Sequence, residues 1–186
     1  MQQLDFLKNT LLNLKTTGTI TRSSNFLCKA LLSYINFEDA HNIIELGPGD
    51  GVITAHLLKS MKQDSHLYSF EINEIFIEYL QANFKDQRLS IMPVSAELIK
   101  PELAKYGVNQ VDYIVSAMPF TILPEQLTDS IITNCYEMLK PGGKFIQFHY
   151  SLQAKKYYIK VFKNIQIKFV ALNVPPAFVM VCDKLG

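Results

Sequence analysis

The chain has no run of the ~20 apolar residues a helix needs to cross a bilayer, and its N-terminal segment has no apolar stretch of signal-peptide type. A cytoplasmic location is expected, soluble or peripheral on the inner face of the membrane. Cysteine is scarce. Cys28, Cys135 and Cys182 lie far apart without a C-x-x-C or Cys/His pairing, which argues against a disulfide framework and a zinc site and fits a reducing compartment. No linker rich in Pro, Gly or Ser divides the 186 residues, and a 48% hydrophobic composition suffices for one sizeable core, so a single domain over 1–186 is expected. Nor do the glycines form a P-loop, which a Lys-Ser/Thr pair would close, or a G-x-G-x-x-G dinucleotide fingerprint.

What is present is Asn42-Ile43-Ile44-Glu45-Leu46 running into Gly47-Pro48-Gly49-Asp50-Gly51-Val52. Ile43 to Leu46 is too short and too β-branched for a helix, and the alternating glycines allow conformations and close ligand approach that a Cβ would forbid. Pro48 stiffens the turn. The acid Glu45 stands near the end of this strand, and a second acid, Glu71, ends the strand-like run Leu67-Tyr68-Ser69-Phe70. The 24 residues from Gly47 to Glu71 leave room for one helix and one strand. In nucleotide-binding α/β sheets an acid at that point accepts hydrogen bonds from both ribose hydroxyls. The competing reading is an ordinary tight turn in an α/β domain.

Net charge is only +1, but it is unevenly spread. Residues 1–30 carry +3, residues 31–139 carry −9, and residues 140–182 carry seven lysines and no acid. Such a basic third either solvates exposed helix faces or meets an anionic partner. Leu4, Leu7, Leu11 and Leu14 recur at helical spacing with Lys8 and Lys15 off the stripe, predicting an amphipathic helix over 1–15 that packs on the domain or lies on a membrane.

Thr16 to Thr21 breaks that helix, and Ser23 or Ser24 can cap the next, Asn25 to Tyr34, with Phe26, Leu27, Ala30, Leu31 and Ile35 toward a core. Helices are then predicted at 52–61, 74–84 (with Ile75, Tyr79 and Leu80 buried), 124–139 and 154–162. Strands are predicted at 66–71, 89–94, 111–115, 144–150, 165–171 and 177–182, with Lys140-Pro141-Gly142-Gly143 as a helix stop and turn. The alternation predicts a parallel sheet covered on both faces, closed by an antiparallel pair.

The glycine turn with Glu45, followed by Phe70-Glu71-Ile72-Asn73, resembles class I S-adenosylmethionine (SAM) dependent methyltransferases. The resemblance implies a Rossmann-like α/β fold with strand order 3-2-1-4-5-7-6, strand 7 antiparallel, and SAM as cofactor with no metal. It implies SAM contacts from Glu45, Gly47, Gly49, Gly51, Glu71 and Ile72. In the family an acid after the third strand often holds the adenine amino group. Ser95 stands there, so that contact falls to Ser95, the Ala96 backbone or Glu97. Ser116-Ala117-Met118-Pro119-Phe120 follows the fourth strand, where the transferred methyl group should lie, and makes Ser116 a candidate for both cofactor and acceptor.

Four segments narrow the resemblance to bacterial phospholipid N-methyltransferases. Gly18 to Ser24 is similar to their Gly-x-x-x-Pro-Ser-Ser, Ser116 to Pro119 to their Ser-Gly-Leu-Pro, Gln147-Phe148-His149-Tyr150 to their Gln-Phe-Thr-Tyr, and Asn173 to Ala177 to their Asn-x-Pro-Pro-Ala. Arg22, Ala117 and His149 depart from the pattern. An amino-lipid substrate and an anionic membrane surface are the implied partners, with Tyr150 and His149 as candidates to accept from or orient the amine. The rival is an RNA adenine-N6 methyltransferase, related to the rRNA adenine dimethyltransferases. Its Asn-Leu-Pro-Tyr loop would need an Asn where Ala117 stands, and losing an acceptor for a buried amine costs ~1–3 kcal/mol. A SAM-binding scaffold without catalysis is the third reading.

Overall fold

Alternating short apolar runs and amphipathic segments build one sheet with helices on both faces. The structure, a computed structural model, describes residues 24–186. The helix expected over 1–15 and the break after it lie outside those residues. The strands are β1 (Asn42–Leu46), β2 (His66–Phe70), β3 (Leu89–Met92), β4 (Val111–Ser116), β5 (Leu139–His149), β6 (Asn164–Val170) and β7 (Ala177–Asp183). They lie in the order β3-β2-β1-β4-β5-β7-β6. β1 to β5 pair in parallel, while β7 runs antiparallel to both β5 and β6. Every parallel strand therefore ends on one edge of the sheet. The antiparallel β7 returns the β6–β7 turn to that same edge, because His149 at the end of β5 pairs with Phe178 and Val170 pairs with Ala177.

The helices are α1 (Asn25–Leu32), α2 (Val52–Ser60), α3 (Glu74–Asn83), α4 (Ile99–Ala104), α5 (Glu125–Met138) and α6 (Lys155–Tyr158). Ser24 caps α1, its hydroxyl accepting from Leu27 N, and Asn73 caps α3 by accepting from Ile75 N and Phe76 N. Two apolar clusters fill the space between helices and sheet. One joins Ile44, Phe120, Phe145 and Tyr158, and the other joins Leu27, Leu31, Leu57 and Val179. No helix among the described residues is long and apolar enough to cross a membrane.

Several expectations need correction. On α3 the buried positions are Phe76 and Leu80, whereas Ile75 and Tyr79 are exposed. The reason lies in what the helix packs against: Phe76, Leu80 and Phe84 approach the glycine turn. Phe26 is likewise exposed on α1. Residues 140–143 do not end in a free turn. They belong to β5 as an irregularity that puts Leu139 opposite Val111 but Lys144 opposite Tyr113, with Gly142 at φ +80°. The helix expected over 154–162 is only α6 followed by turns, and α4, short with Pro101 in its first turn, has too few residues to announce itself by periodicity.

The basic third is less basic than its composition. Lys140 pairs with Asp112, Lys144 with Asp183, and Lys160 with Glu125 and Asp129. Acids from elsewhere in the chain thus neutralise three of the seven lysines.

Candidate active site

The glycine turn joins β1 to α2 with all three glycines left-handed, at φ +68°, +57° and +77° for Gly47, Gly49 and Gly51. Their surroundings separate their roles. A Cβ on Gly49 would meet only Phe76 Cζ at 3.9 Å, and one on Gly47 would press Met118 Cγ at 3.3 Å. At Gly51 a Cβ would lie 2.5 and 2.7 Å from Phe84 ring atoms and 2.9 Å from Leu80. Gly49 thus borders an open rim, Gly47 lets Met118 lie against the turn, and Gly51 lets α2 start against α3.

Glu71, just past β2, ties this rim together. Its Oε1 accepts from Ile72 N and Asn73 N at 2.9 Å, and its Oε2 accepts from Gly49 N at 3.2 Å. The carboxylate thus holds the turn on which a cofactor ribose would lie. Ser95 uses its hydroxyl to accept from Glu97 N at 3.4 Å, capping the 3-10 turn that starts at Ala96. That leaves the Ser95 side chain committed to its own backbone, with Ala96 buried behind it.

Glu45 lies beneath the turn instead of on it, 1% exposed. Its Oε2 accepts from Thr54 Oγ1 and Ser69 Oγ, each at 2.7 Å, and its Oε1 has no hydrogen-bond partner among the described residues. Desolvation pushes its carboxyl up from 4.5 to about 7, against the two hydroxyl donors and with help from the Glu71 charge. The folded state thus favours the protonated form. Its stabilising effect is complete below the ordinary value and fades as pH rises through about 7, a span of about 3 kcal/mol. Between pH 5 and 8.5 the melting temperature of wild type should therefore fall relative to that of Glu45→Gln. Parallel curves would show that the shift is absent.

The rest of this edge is built from loops that follow β4, β5 and β6. Ser116 is fully buried at the end of β4, where its Oγ accepts from Met118 N at 3.2 Å. Gln147, opposite Ser116 on β5, donates its amide to Met118 O at 3.0 Å and Phe148 O at 2.8 Å. Ser116 and Gln147 together clamp the backbone of Met118, which leans on Gly47. Nothing in the sequence marks Gln147 for this role beyond its place in the Gln147 to Tyr150 segment.

His149 and Tyr150 part at the end of β5, as alternation in a strand requires. Tyr150 is 40% exposed at the rim. Burial raises its phenol and a hydrogen bond with Asn173 lowers it, leaving it above its usual value and therefore protonated at neutral pH. His149 is buried, its Nε2 2.7 Å from Tyr158 Oη. Desolvation lowers it to about 4, so it is a neutral imidazole turned into the core and not brought to Tyr150. Asn173, also missed from sequence, organises the rim. Its Oδ1 accepts from Ser24 N at 3.3 Å and its Nδ2 donates to Pro175 O at 2.6 Å.

Away from this edge, a concavity lined by Gln63, His66, Asp86 and Arg88 lies at the amino ends of β2 and β3. Arg88 is consumed there by Asp86 and the carbonyls of Leu58 and Met61, so the hollow is not the cofactor site. Among the described residues no group of three or more His, Cys, Asp or Glu is placed to hold a metal ion.

A sheet of this order, with a left-handed glycine turn after β1 and an acid after β2, is the arrangement of class I SAM-dependent methyltransferases. Residues 43–143 match the family described as methyltransferase domain, and the chain belongs to that family. It is 24% identical over 167 residues to the ornithine lipid N-methyltransferase of Singulisphaera acidiphila, covering 89% of this chain and 87% of that protein. It is also 26% identical over 106 residues to ribosomal RNA small subunit methyltransferase A of Lysinibacillus sphaericus, covering 57% of this chain but 35% of that one. A SAM-dependent methyltransferase from Aquifex aeolicus superposes with a TM-score of 0.67 at 14% identity, over 85% of this chain and 89% of that one. The cofactor fits the residues present: the rim at Gly49 is open where a Cβ would stand, and Glu71 sets an acceptor beside it.

Proposed function

We propose that this chain methylates the amine nitrogen of an amino-lipid headgroup. The observation that carries the reading is the convergence on Asn173. Three segments that resemble phospholipid N-methyltransferases are distant in sequence, yet Asn173 of one segment accepts from Ser24 N of the second and bonds the Tyr150 phenol of the third. The ornithine lipid relative is similar over nearly the whole length of both chains, whereas the ribosomal RNA relative extends well beyond the region matched. Ala117 also lacks the side-chain acceptor an adenine amine would need.

When bound, SAM supplies an electrophilic methyl on its sulfonium. The remaining task falls to the protein. Gly47 and Gly49 would admit the cofactor, Glu71 would take its ribose hydroxyls, and Met118, held by Ser116 and Gln147, would line the place where the sulfonium methyl meets the acceptor amine. A lipid ammonium titrates near ~10, and only its neutral form attacks, which requires roughly 4 kcal/mol of environment at pH 7. Tyr150 stays a phenol and can accept from the amine, but it is no base at neutral pH. His149, at about 4 and bonded to Tyr158, is no base for that ammonium either. Deprotonation therefore comes from desolvation and from solvent, and the residues contribute alignment.

Tyr150→Phe should lower turnover about tenfold, the worth of one hydrogen bond at the acceptor, with SAM affinity nearly unchanged. His149→Ala should instead lower stability by about 2 kcal/mol, since it strands the buried Tyr158 hydroxyl. Equal losses of turnover and SAM affinity in Tyr150→Phe would place the hydroxyl in the cofactor pocket. The function itself is tested with an ornithine lipid and phosphatidylethanolamine as separate acceptors and mass spectrometry of the product. A methyl on the amine nitrogen of either supports the reading, and unmodified lipid in both opposes it.

A further inference from the structure

We infer that the β6–β7 turn, with the segment after β5, is the edge by which this protein meets an anionic lipid surface. The inference rests on the amino-lipid reading and names the surface that would deliver such a substrate. Leu172 is 66% exposed and Val174 is 78% exposed, yet Asn173 between them is buried and bonded to Ser24 N and Pro175 O. The turn is therefore anchored by its polar residue while its apolar neighbours point to solvent, the reverse of ordinary surface turns. Leu152, just past Tyr150, is 44% exposed, and Phe169 near the end of β6 is exposed too. β7 runs antiparallel, so all of these stand on the carboxyl edge where the acceptor site opens. Apolar side chains gathered on one projecting edge mark a contact surface.

Charge selects the contact. No Asp or Glu occurs from Met138 to Cys182. Lys140, Lys144 and Lys160 are spent on acids, but Lys155, Lys156 and Lys168 have no ion pair among the described residues. Lys155 begins α6, its N–H bonded to Leu152 O, while Lys168, next to Phe169 in β6, lies with its Nζ 5.8 Å from the centre of the Tyr34 ring. Apolar tips with lysines beside them, in a segment that carries no carboxylate of its own, are complementary to anionic headgroups over acyl chains. Lys163 adjoins Asn164, which pairs with Asp183 at the opposite edge of the sheet, and has no part in this surface.

The test uses the full chain, with vesicles of phosphatidylglycerol and phosphatidylcholine in equal parts. Leu172→Glu/Val174→Glu should reduce vesicle partitioning at least tenfold at low and high salt, and Leu172→Ser/Val174→Ser should reduce it in the same direction. Both variants should retain the melting temperature, solution mass, SAM affinity and turnover on a short-chain amino lipid in monomeric solution. Changing Lys155, Lys156 and Lys168 to Gln should reduce partitioning only at low salt. Wild-type partitioning by both double variants would overturn the inference, as would a wild-type protein that ignores vesicles. A lower melting temperature or altered mass in both would overturn it too, since the turn would then cover another segment or a second copy. Vesicle binding lost with the turn in a protein that methylates no amino lipid would support the surface and overturn the substrate reading.

Discussion

Gly49→Val should abolish SAM binding, with affinity falling more than a hundredfold, while the chain still folds. The position has φ +57°, and the nearest atom to where a Cβ would stand is Phe76 Cζ at 3.9 Å, so the fold would bear mainly the cost of a non-glycine residue in a left-handed conformation. That cost is ~1–3 kcal/mol, below the ~5–15 kcal/mol by which domains are usually stable. The isopropyl group, however, would stand on the rim where the backbone must approach the cofactor. Gly51→Ala is the contrasting variant. Its methyl would collide with Phe84 and Leu80, so it should lower the melting temperature sharply. Calorimetric titration together with circular dichroism distinguishes the two. A Gly49→Val protein that unfolds, or that binds SAM normally, would remove the rim from the site.

Glu71→Ala should weaken SAM binding by at least ~1.5 kcal/mol, or tenfold and more, because it removes charge-assisted acceptors from the ribose. The structure adds a second reason. The same carboxylate gathers Gly49 N, Ile72 N and Asn73 N, so its loss also frees the turn on which the cofactor would lie. Unchanged affinity by calorimetry would take Glu71 out of the site.

The glycine turn and the strands on either side of it were legible because their signals are local. A β-branched run, three alternating glycines and an acid 24 residues on mark one turn and two strand ends without knowledge of the rest of the chain. Legibility failed where a partner from afar decides. Ile75 and Tyr79 match a helical stripe as well as Phe76 and Leu80 do, and only the packing of α3 on the glycine turn makes the second pair the buried one. Glu45 reads as a cofactor acid, but its neighbours Thr54 and Ser69 place it beneath the turn. The seven lysines of 140–182 read as one basic face until acids at 112, 125, 129 and 183 claim three of them. Asn173 carried no chemistry of its own in sequence. Its importance comes from bonding Ser24, which lies 149 residues away.

The central claim is that this SAM-dependent methyltransferase acts on an amine carried by a lipid. The most direct measurement presents methyl-labelled SAM and the protein with total lipid, ribosomal RNA and small amines together, then counts label in each separated fraction. The account predicts label in the lipid fraction, lost in Glu71→Ala and reduced about tenfold in Tyr150→Phe. Label on RNA adenine, with the lipid fraction empty, would contradict it.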